Sequence, residues 1–290
     1  MIYAFIDAHR SAFAVKKMCQ VLQVSRSGYY AWRGRPESAQ AYATRALMQR
    51  IQAIFAAQHG RYGSPRVTAV LQDEGLQVSR SWVARLMQRA GLQAITPRAG
   101  HRTTRPDPTQ PVAPNLLQQH FTAAAPGQRW VSDLTYLRTD EGWAFLTAIL
   151  DLYHRKVVGW TLSADLTTEQ TTRPALEQAW RREQPAPGVL VHSDRGSQYS
   201  AAAFRTQLER YHMVQSMSGT GNCYDNAVAE SFFKTLKTEL VSTAHFQTRA
   251  EAFHHLFEYI EVYYNRQRKH SSLGYQSPEA FLQAQQTKAA

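Results

Sequence analysis

Apolar positions recur along this chain with two different spacings, and the change divides it into two parts. Up to about residue 95 they return every three or four positions, which predicts helices. From residue 127 onward, short apolar or alternating runs predict strands near 129–138, 143–151, 156–162, 188–193 and 213–216. Helices are predicted over 169–182, 201–211, 225–240 and 248–264. This order predicts an α/β domain with a mixed sheet, preceded by an all-helical part.

Two segments of the helical part predict a helix, a tight turn and a second helix. They cover residues 12–32 and 64–90, and Ser25 and Ser79 stand where each second helix needs an N-cap. Gly91 is placed to end the last of these helices, because glycine adopts a left-handed conformation at low cost. Both segments are therefore predicted to be helix-turn-helix-like modules.

The two modules share an identical string, LQVSRS, at residues 22–27 and 76–81. A helix-turn-helix presents the first residues of its second helix to the major groove of DNA. We therefore predict DNA contacts at four positions: Arg26, Ser27, Arg80 and Ser81. The basic turn RYGSPR between the modules adds Arg61 and Arg66 as candidate contacts to backbone phosphates. Capped helical hairpins with no role in DNA binding are the alternative.

The excess positive charge of the chain lies in its first part. The net charge is +11, with 33 Lys and Arg against 22 Asp and Glu. Residues 1–125 hold 16 basic and 5 acidic side chains, which leaves 17 of each sign in the remainder. This distribution favours the binding of a polyanion by the helical part. A basic domain whose charge serves only solubility is the alternative.

Six prolines, mixed with arginines, predict an extended linker between the helical part and the sheet. Within it, residues 116–121 are predicted to form a short helix that docks on the following domain. The predicted organisation has four parts: a helix-turn-helix-like segment over 1–36, a second helical DNA-binding domain over 40–95, the linker over 96–126, and an α/β domain with C-terminal helices over 127–285.

The remaining composition argues against a disulfide-rich or membrane protein. The two cysteines, Cys19 and Cys223, lie too far apart in sequence to suggest a disulfide framework or a Cys-x-x-Cys zinc site. No run of about 18 apolar residues is present to span a membrane, and no signal-peptide pattern is found. We therefore expect a cytoplasmic protein that has no membrane partner.

Three carboxylates of the α/β part are candidates for a metal site. Asp133 lies inside a predicted strand, Asp194 follows the strand near 188–193, and Glu230 lies on a predicted helix. Mg²⁺ prefers carboxylate oxygens, and two such ions can clamp the attacking and leaving oxygens of a phosphoryl transfer. Asp151 is the rival carboxylate, although an Asp at the end of a strand usually bonds a turn amide.

The helix predicted over 225–240 has an apolar face and a charged face. Asn226, Glu230, Lys234 and Lys237 share the charged face, at i, i+4, i+8 and i+11. Lys234 and Lys237 are candidate DNA contacts that would neutralise phosphates, and Asn226 is one turn away from Glu230, where it is a candidate second-shell partner. A solvated helix face supported by Glu-to-Lys pairs is the alternative.

Further polar residues flank the three carboxylates. His192, two residues before Asp194, could orient a carboxylate or a metal-bound water, and a buried His bonded to the backbone is equally open. Ser197 and Gln198 are candidates to position a substrate, and Asp225 is predicted to be the N-cap of the Glu230 helix.

Four stretches, in order, resemble the second-reading-frame transposase of the IS-three family of bacterial insertion sequences, in the DDE transposase and retroviral integrase superfamily. They are WVSDLTYL, HSDRGSQYSA, GNCYDNAVAESFFKTLKTEL and YNRQRKHSSLGYQSPEAF. The 35 residues between Asp194 and Glu230, and a basic residue seven after Glu230, belong to the family pattern. Unlike retroviral integrases, this chain lacks an N-terminal His/Cys zinc module.

The resemblance implies a ribonuclease-H-like integrase catalytic core, a mixed five-stranded sheet flanked by helices. It would place Asp133 on the central first strand, Asp194 at the end of the adjacent fourth strand, and Glu230 above them. It also implies that two Mg²⁺ ions, or Mn²⁺, bind these three residues and support cleavage of DNA followed by strand transfer. The DNA partners would be the terminal inverted repeats of the element and a target.

The resemblance further implies partners and leaves two rival functions. The active family enzyme is usually a frameshift fusion with an upstream-frame product, so we expect this chain to transpose poorly alone. A homo-oligomer on DNA is expected, because two ends must meet before one attacks the other. The rivals are a ribonuclease-H-like nuclease without joining activity and a non-catalytic DNA-binding regulator derived from a transposase. The terminal repeat sequence and the target preference are not determined by the sequence.

Overall fold

The first part of the described chain is helical, as its apolar spacing predicts. The computed structural model describes residues 2–96, 112–219 and 223–289. Ahead of the sheet it forms α1 (Ile2–His9), α2 (Val15–Val21), α3 (Arg26–Arg33), α4 (Ala39–Ala57), α5 (Ser64–Asp73) and α6 (Arg80–Arg89). The pairs α2–α3 and α5–α6 are the two predicted helix-turn-helix-like units. The sequence pattern does not place α1 or α4.

Both modules begin their second helix in the same way. The Ser25 hydroxyl oxygen accepts from the Gly28 amide at 2.9 Å, and that of Ser79 accepts from the Trp82 amide at 3.2 Å. Each serine therefore satisfies a backbone N–H that the first turn of a helix leaves unpaired. Gly91 has a φ of 66° directly beyond α6. The predicted caps are confirmed, and the repeated string occupies the same structural position in both modules.

A mixed five-stranded sheet follows. Its strands are β1 (Arg129–Thr139), β2 (Gly142–Asp151), β3 (Val157–Ser163), β4 (Leu190–Ser193) and β5 (Val214–Met217), in the order β3-β2-β1-β4-β5. β1 is central, antiparallel to β2 and parallel to β4. Every strand lies within two residues of its predicted position, because short apolar or alternating runs bounded by polar residues give a strand a clear local pattern.

Helices cover both faces of the sheet. α7 (Thr172–Glu183), α8 (Ser197–Ser200) and α9 (Ala202–Arg210) lie on one side, and α10 (Ala227–Leu236) and α11 (Arg249–Phe257) on the other. The last helix is α12 (Pro278–Ala289). Neighbouring residues of β1 alternate between the two cores, since Trp130 packs on the α7 side and Val131 on the α10 side.

The two helices on the α10 side change pitch before they end. A 3₁₀ turn (Cys223–Asn226) precedes α10, and a π-helix (Lys237–Val241) follows it. α11 continues as a second π-helix, Glu258–Tyr264. The Tyr259 hydroxyl in the second π-helix donates to Glu239 in the first at 2.8 Å. The two changes of pitch, which the sequence pattern does not predict, therefore meet at one buried contact.

The linker docks on the sheet without forming the predicted helix. About half of the predicted linker, residues 97–111, lies outside the described residues. Residues 112–126 contain neither helix nor strand, so the prediction of a helix over 116–121 is wrong. The amides of Leu116 and Leu117 donate instead to the Ser216 hydroxyl, at 2.9 and 3.3 Å. Leu117 is buried, and one serine on β5 replaces the backbone bonds of a helix.

The second helical module and the α10 side of the sheet share one hydrophobic core. Ile51, Val67 and Leu86 of α4–α6 belong to the same buried cluster as Phe232 and Ile260. The first module has a separate cluster, formed by Ile6, Met18, Cys19 and Tyr29. Burial of a continuous apolar surface holds α4–α6 against the α/β domain.

Candidate active site

Asp133 of β1 and Asp194, which directly follows the parallel strand β4, are neighbours at the centre of the sheet. The register pairs Val131 of β1 with His192 of β4. Continued by two residues, it brings Asp133 opposite Asp194, and opposite residues of parallel strands point to the same face. The Leu134 amide donates to Asp133 Oδ1 at 2.8 Å, and the Gly196 amide to Asp194 Oδ1 at 3.0 Å. Neighbouring backbone amides thus hold both carboxylates in place.

Glu230 approaches this pair from α10. The helix buries Ala229, Phe232, Phe233 and Leu236 against the sheet, as the apolar spacing predicts. Glu230, Lys234 and Lys237 are exposed on another face. The negative charge of Glu230 and the positive charge of Lys237 both act on Asp133. The structure therefore brings Glu230 and Lys237 towards the two aspartates.

The electrostatic state of Asp133 reflects this crowding. Burial, the charge of Asp194 and the weaker influence of Glu230 raise the pKa of Asp133 to about 8. The hydrogen bond from the Leu134 amide and the charge of Lys237 act in the opposite direction. Carboxylates that disfavour each other's ionisation attract a cation, because its charge offsets their repulsion. The pair is thus suited to a divalent metal ion.

The three carboxylates do not converge on one point. Across residues 2–96, 112–219 and 223–289, no three His, Cys, Asp or Glu side chains are grouped closely enough to hold a metal ion. The donors nevertheless fit Mg²⁺ or Mn²⁺, which accept carboxylate oxygens and keep several waters in their coordination shell. The residues that would hold such an ion are Asp133 and Asp194, with Glu230 on the neighbouring helix α10.

A layer of hydrogen bonds supports Asp133 from β1 and α10. The Asn226 side-chain amide donates to the Ser132 carbonyl oxygen at 3.0 Å, which ties the start of α10 to β1. The hydroxyls of Ser132 and Tyr199 lie 2.8 Å apart, and both side chains are buried. Burial and the charges of Asp133 and Asp194 raise the pKa of Tyr199 well above its usual value. Sequence reasoning missed Ser132 and Tyr199, although both lie inside the quoted motifs.

His192 is bonded to two serines and not to Asp133 or Asp194, although one of its two interpretations was that it orients a carboxylate. Its ring is fully buried, with Nδ1 2.8 Å from the Ser216 hydroxyl and Nε2 3.2 Å from that of Ser218. Burial lowers the pKa of His192 to about 4, so the ring is neutral. Its hydrogen bonds join β4 to β5. The structure thus favours the buried His, bonded here to two serine side chains.

Asp225 is not the N-cap of α10, and that prediction is wrong. The residue before α10 is Asn226, and it makes no side-chain cap. Asp225 is buried and accepts hydrogen bonds from the side chains of Asn115 and Gln119, at 2.9 and 3.0 Å, and from the Gly219 amide at 2.8 Å. Asp225 therefore binds the end of the linker to the loop before α10.

Asp151 serves a turn and is not placed at the candidate site. Its carboxylate accepts from the Gly127 amide at 2.6 Å, the Tyr153 amide at 2.7 Å and the Trp130 indole at 3.0 Å. It is also buried, with 1% exposure. These three donors give a structural role to the rival carboxylate.

The candidate DNA contacts of the two modules are on the surface. Arg26, Ser27, Arg80 and Ser81 are exposed at the first positions of α3 and α6. The N-terminal end of a helix presents unpaired N–H groups and a partial positive charge, both of which suit a phosphate. This placement is compatible with groove binding by either helix.

Arg61 and Arg66 face the catalytic domain rather than a free surface. Arg61 Nε donates to the Glu239 carbonyl oxygen at 3.1 Å, and its guanidinium lies over the Tyr263 ring at 4.5 Å. Arg66 Nε donates to the Lys269 carbonyl oxygen at 2.9 Å. In the same interface the Lys269 amide donates to the Tyr62 hydroxyl at 2.9 Å. The basic turn thus joins the second module to the π-helix after α10 and to the segment after the second π-helix.

Comparison with known proteins decides the family. Models of an integrase core domain match residues 123–223 and 211–278, and a model of an HTH-like domain matches residues 43–100. Transposase InsF for insertion sequence IS3A of Escherichia coli (strain K12) is 42% identical over 285 residues, or 97% of this chain and 98% of that protein. The chain belongs to the IS-three (IS3) family of transposases. The transposase is also 44% identical over 264 residues to the insertion element IS600 uncharacterized 31 kDa protein of Shigella sonnei, across 91% of this chain and 97% of that protein.

Solved integrases are similar to the transposase at lower identity. The catalytic core domain of BIV integrase is 18% identical, with a TM-score of 0.41 over 57% of this chain and 99% of that one. The HTLV-2 integrase catalytic core domain in complex with magnesium is 15% identical, with a TM-score of 0.40 over 55% and 98%.

The family and the sheet topology together confirm the predicted fold and function. The protein is a DDE transposase of an insertion sequence, a nucleic-acid-cleaving enzyme with an HTH-like DNA-binding domain. No helix in the described part of the chain has the length and apolarity needed to cross a membrane.

Proposed function

We propose that the transposase cuts and joins DNA with Asp133, Asp194 and Glu230, which bind divalent metal ions. The observation that carries this proposal is the closeness of Asp133 on β1 to Asp194, which directly follows the adjacent parallel strand β4, so that the charge of Asp194 raises the pKa of Asp133. Glu230 acts on the same carboxylate from α10, whose start is bonded to β1 through Asn226. Two strand carboxylates and one helix carboxylate form the proposed catalytic set.

The donor set suits two Mg²⁺ ions, or Mn²⁺, since all its ligands are oxygens. When bound, these ions lower the pKa of the attacking hydroxyl and stabilise the charge on the phosphodiester undergoing displacement. The protein holds Asp133 and Asp194 through the amides of Leu134 and Gly196. Lys234 on α10 and Lys237 at the start of the π-helix that follows are both exposed, and they are proposed to offset the charge of the DNA strand.

The proposed reaction has two chemically similar steps. Hydrolysis of a phosphodiester at an end of the element frees a 3′-hydroxyl. That hydroxyl then attacks a second phosphodiester, forming a new P–O bond as the old one breaks, so joining needs no covalent protein–DNA intermediate. Exposed Arg26, Ser27, Arg80 and Ser81 of the two modules are proposed to hold the terminal inverted repeats.

We infer that the transposase works as a homo-oligomer, because two element ends must be held together before one attacks the other. The upstream-frame product of the same element is the second proposed partner, separate or fused by a frameshift. Because the substrate is bacterial DNA, the proposed place of action is the nucleoid in the cytoplasm. Light scattering of the enzyme bound to paired end duplexes tests the oligomer, and a single copy per pair of ends would contradict it.

Single substitutions of the triad test the chemistry. Asp133→Asn, Asp194→Asn and Glu230→Gln should each reduce cleavage and joining by about a thousandfold or more, because each removes a charged ligand. DNA affinity should stay within about twofold, since the basic modules are unchanged. Asp140→Asn, an exposed residue at the β1–β2 turn, is the matched control and should keep full activity.

The products separate the proposal from its rivals. Chelation of divalent ions should stop the wild-type reaction without releasing DNA. A wild-type protein that cuts but never joins would favour a nuclease, and one that only binds DNA would favour a regulator. Wild-type strand transfer by any of the three variants would remove that residue from the proposed set.

A further inference from the structure

A polar cavity lies beside α10, on a face next to the one that carries Glu230. Its volume is about 340 Å³, and we call it the arginine pocket. Ser231 and Thr235 of α10 form one wall. The polar residues of the other walls come from α5, the turn after β2 and the segment after the second π-helix: Arg66, Arg155, Arg268, His270, Ser271 and Ser272. The proposed chemistry uses none of them.

Two buried atoms in the lining have no hydrogen-bond partner among the described residues: Arg155 Nη1 and His270 Nε2. Arg155 is held by its Nη2, which donates to the Phe121 carbonyl oxygen at 2.7 Å. His270 is only 8% exposed. Buried polar groups are nearly always paired, so an unpaired one indicates a missing partner. Arg155 Nη1 is a donor and therefore indicates space for an acceptor such as an anion. The neutral His270 ring bonds the Tyr264 backbone, which leaves its Nε2 as an acceptor that can take a hydrogen bond from a water or a hydroxyl.

The charges of the lining favour an anion. Glu239 pairs with Arg268 at 2.7 Å and lies 3.8 Å from Arg66, so one carboxylate faces two guanidiniums. The Nη2 of Arg155, the third guanidinium, bonds a carbonyl oxygen. Burial and the charges of Arg268, Arg66 and Arg155 lower the pKa of His270 to about 2, against a hydrogen bond with the Tyr264 backbone. Burial and repulsion from Arg268 also lower the pKa of Arg66. A pocket that disfavours added positive charge attracts negative charge.

The position of the pocket relates it to the catalytic helix. Ser231 directly follows Glu230, and Ser231, Ser271 and Ser272 are all exposed, so the pocket opens to solvent. Guanidinium forks and serine hydroxyls match the several oxygens of a phosphate better than the single charge of a smaller anion. A strand held at the carboxylates would therefore pass the mouth of the pocket.

We propose that the arginine pocket binds a backbone phosphate of the DNA strand that runs along α10. This inference rests on the proposed function. A phosphate contact positions a strand without reading its bases, so the pocket sets how far the strand extends past the carboxylates. It also gives a function to the YNRQRKHSSLGYQSP segment, which supplies Arg268, His270, Ser271 and Ser272.

The test measures binding of the full 290-residue chain to duplex DNA from the ends of its own element. Arg155→Gln removes one charge of the lining, and Ser272→Glu adds a carboxylate at the exposed mouth, where folding is not at risk. Each should weaken binding about tenfold and reduce the slope of log affinity against log salt by about one. Gln276→Glu, at an exposed position outside the lining, makes the same change in charge. It should leave the affinity within about twofold of the wild type and the salt slope unchanged.

Single neutral methylphosphonates locate the phosphate. One position in the duplex should cost the wild type about tenfold and cost the Ser272→Glu variant almost nothing, because that contact is already lost. Equal losses for both proteins at every position would overturn the inference. So would inorganic phosphate that saturates the wild type at micromolar concentration without being displaced by DNA, since the ligand would then be a free anion.

The same preparations keep this inference separate from the proposed function. If cleavage depends on Asp133 but the methylphosphonate losses are additive, only the phosphate site is wrong. If one methylphosphonate position responds to Ser272→Glu but cleavage survives Asp133→Asn, the strand is placed as inferred and the proposed catalytic set is wrong.

Discussion

Replacing Glu239 with Gln should destabilise the transposase far more than the same change on its surface. The Glu239 side chain is 6% exposed and accepts three hydrogen bonds from the Arg268 guanidinium, at 2.7, 2.9 and 3.1 Å. The Tyr259 hydroxyl donates a fourth at 2.8 Å. Arg61 donates to the backbone carbonyl oxygen of the same residue, so the π-helix after α10 also contacts the second helical module.

The magnitude follows from the buried charge that the substitution leaves behind. Burial lowers the pKa of Arg268, but the hydrogen bonds and charge of Glu239 outweigh it and raise that pKa above its usual value. Arg268 therefore stays charged in the folded protein. Gln keeps the size of Glu239 but removes its charge, and an unpaired buried cation costs about 3–5 kcal/mol. The double variant Glu239→Gln/Arg268→Met should lose less than Glu239→Gln, because the buried charge of Arg268 is removed together with its partner.

Urea unfolding followed by tryptophan fluorescence measures these differences in the free energy of unfolding. Glu74→Gln is the control, since Glu74 pairs with Arg50 at the surface, where the side chains are 31% and 51% exposed. An exposed pair contributes at most about 1 kcal/mol. The reasoning fails if Glu239→Gln and Glu74→Gln lose the same free energy of unfolding. It also fails if the double variant loses as much as the sum of Glu239→Gln and Arg268→Met measured separately.

Two further predictions address DNA binding and pH. Arg26→Gln and Arg80→Gln in the full chain should each lower the slope of log affinity against log salt by about one, as titrations at several salt concentrations can check, and an unchanged slope would place that arginine off the DNA. For His270, a folded pKa of about 2 against an ordinary 6.5 means that the unfolded chain takes up the proton first, so stability is full above pH 6.5 and falls as the pH drops below it. The charges that oppose protonation of His270 are those of the three arginines of the arginine pocket. His270→Gln should make stability between pH 6 and 4 fall less steeply, by about 1.4 kcal/mol for each pH unit, and an equal steepness in urea unfolding at these pH values would contradict it.

Local patterns in the sequence determined much of this fold. Ser25 and Ser79 cap their helices as predicted, because a cap needs only a side-chain oxygen three residues before the amide that it accepts from. The five strands follow from short runs that are either apolar or alternating, a pattern that depends on neighbours along the chain. Asp133 and Asp194 were identified from their positions at strands, and the family resemblance implied that they meet.

Only the tertiary structure decided what several charged residues do. Arg61 and Arg66 look in the sequence like freely exposed residues of a basic turn, but each bonds a backbone carbonyl oxygen 178 or 203 residues away, at Glu239 and Lys269. Asp225 is a residue type that often caps a helix, yet its carboxylate accepts a hydrogen bond from the side chain of Asn115, 110 residues earlier. A charge in a sequence shows what a side chain can bind, whereas the packing of distant elements decides which partner is within reach. The arginine pocket exists for the same reason, since its walls come from segments that meet only after the chain has folded.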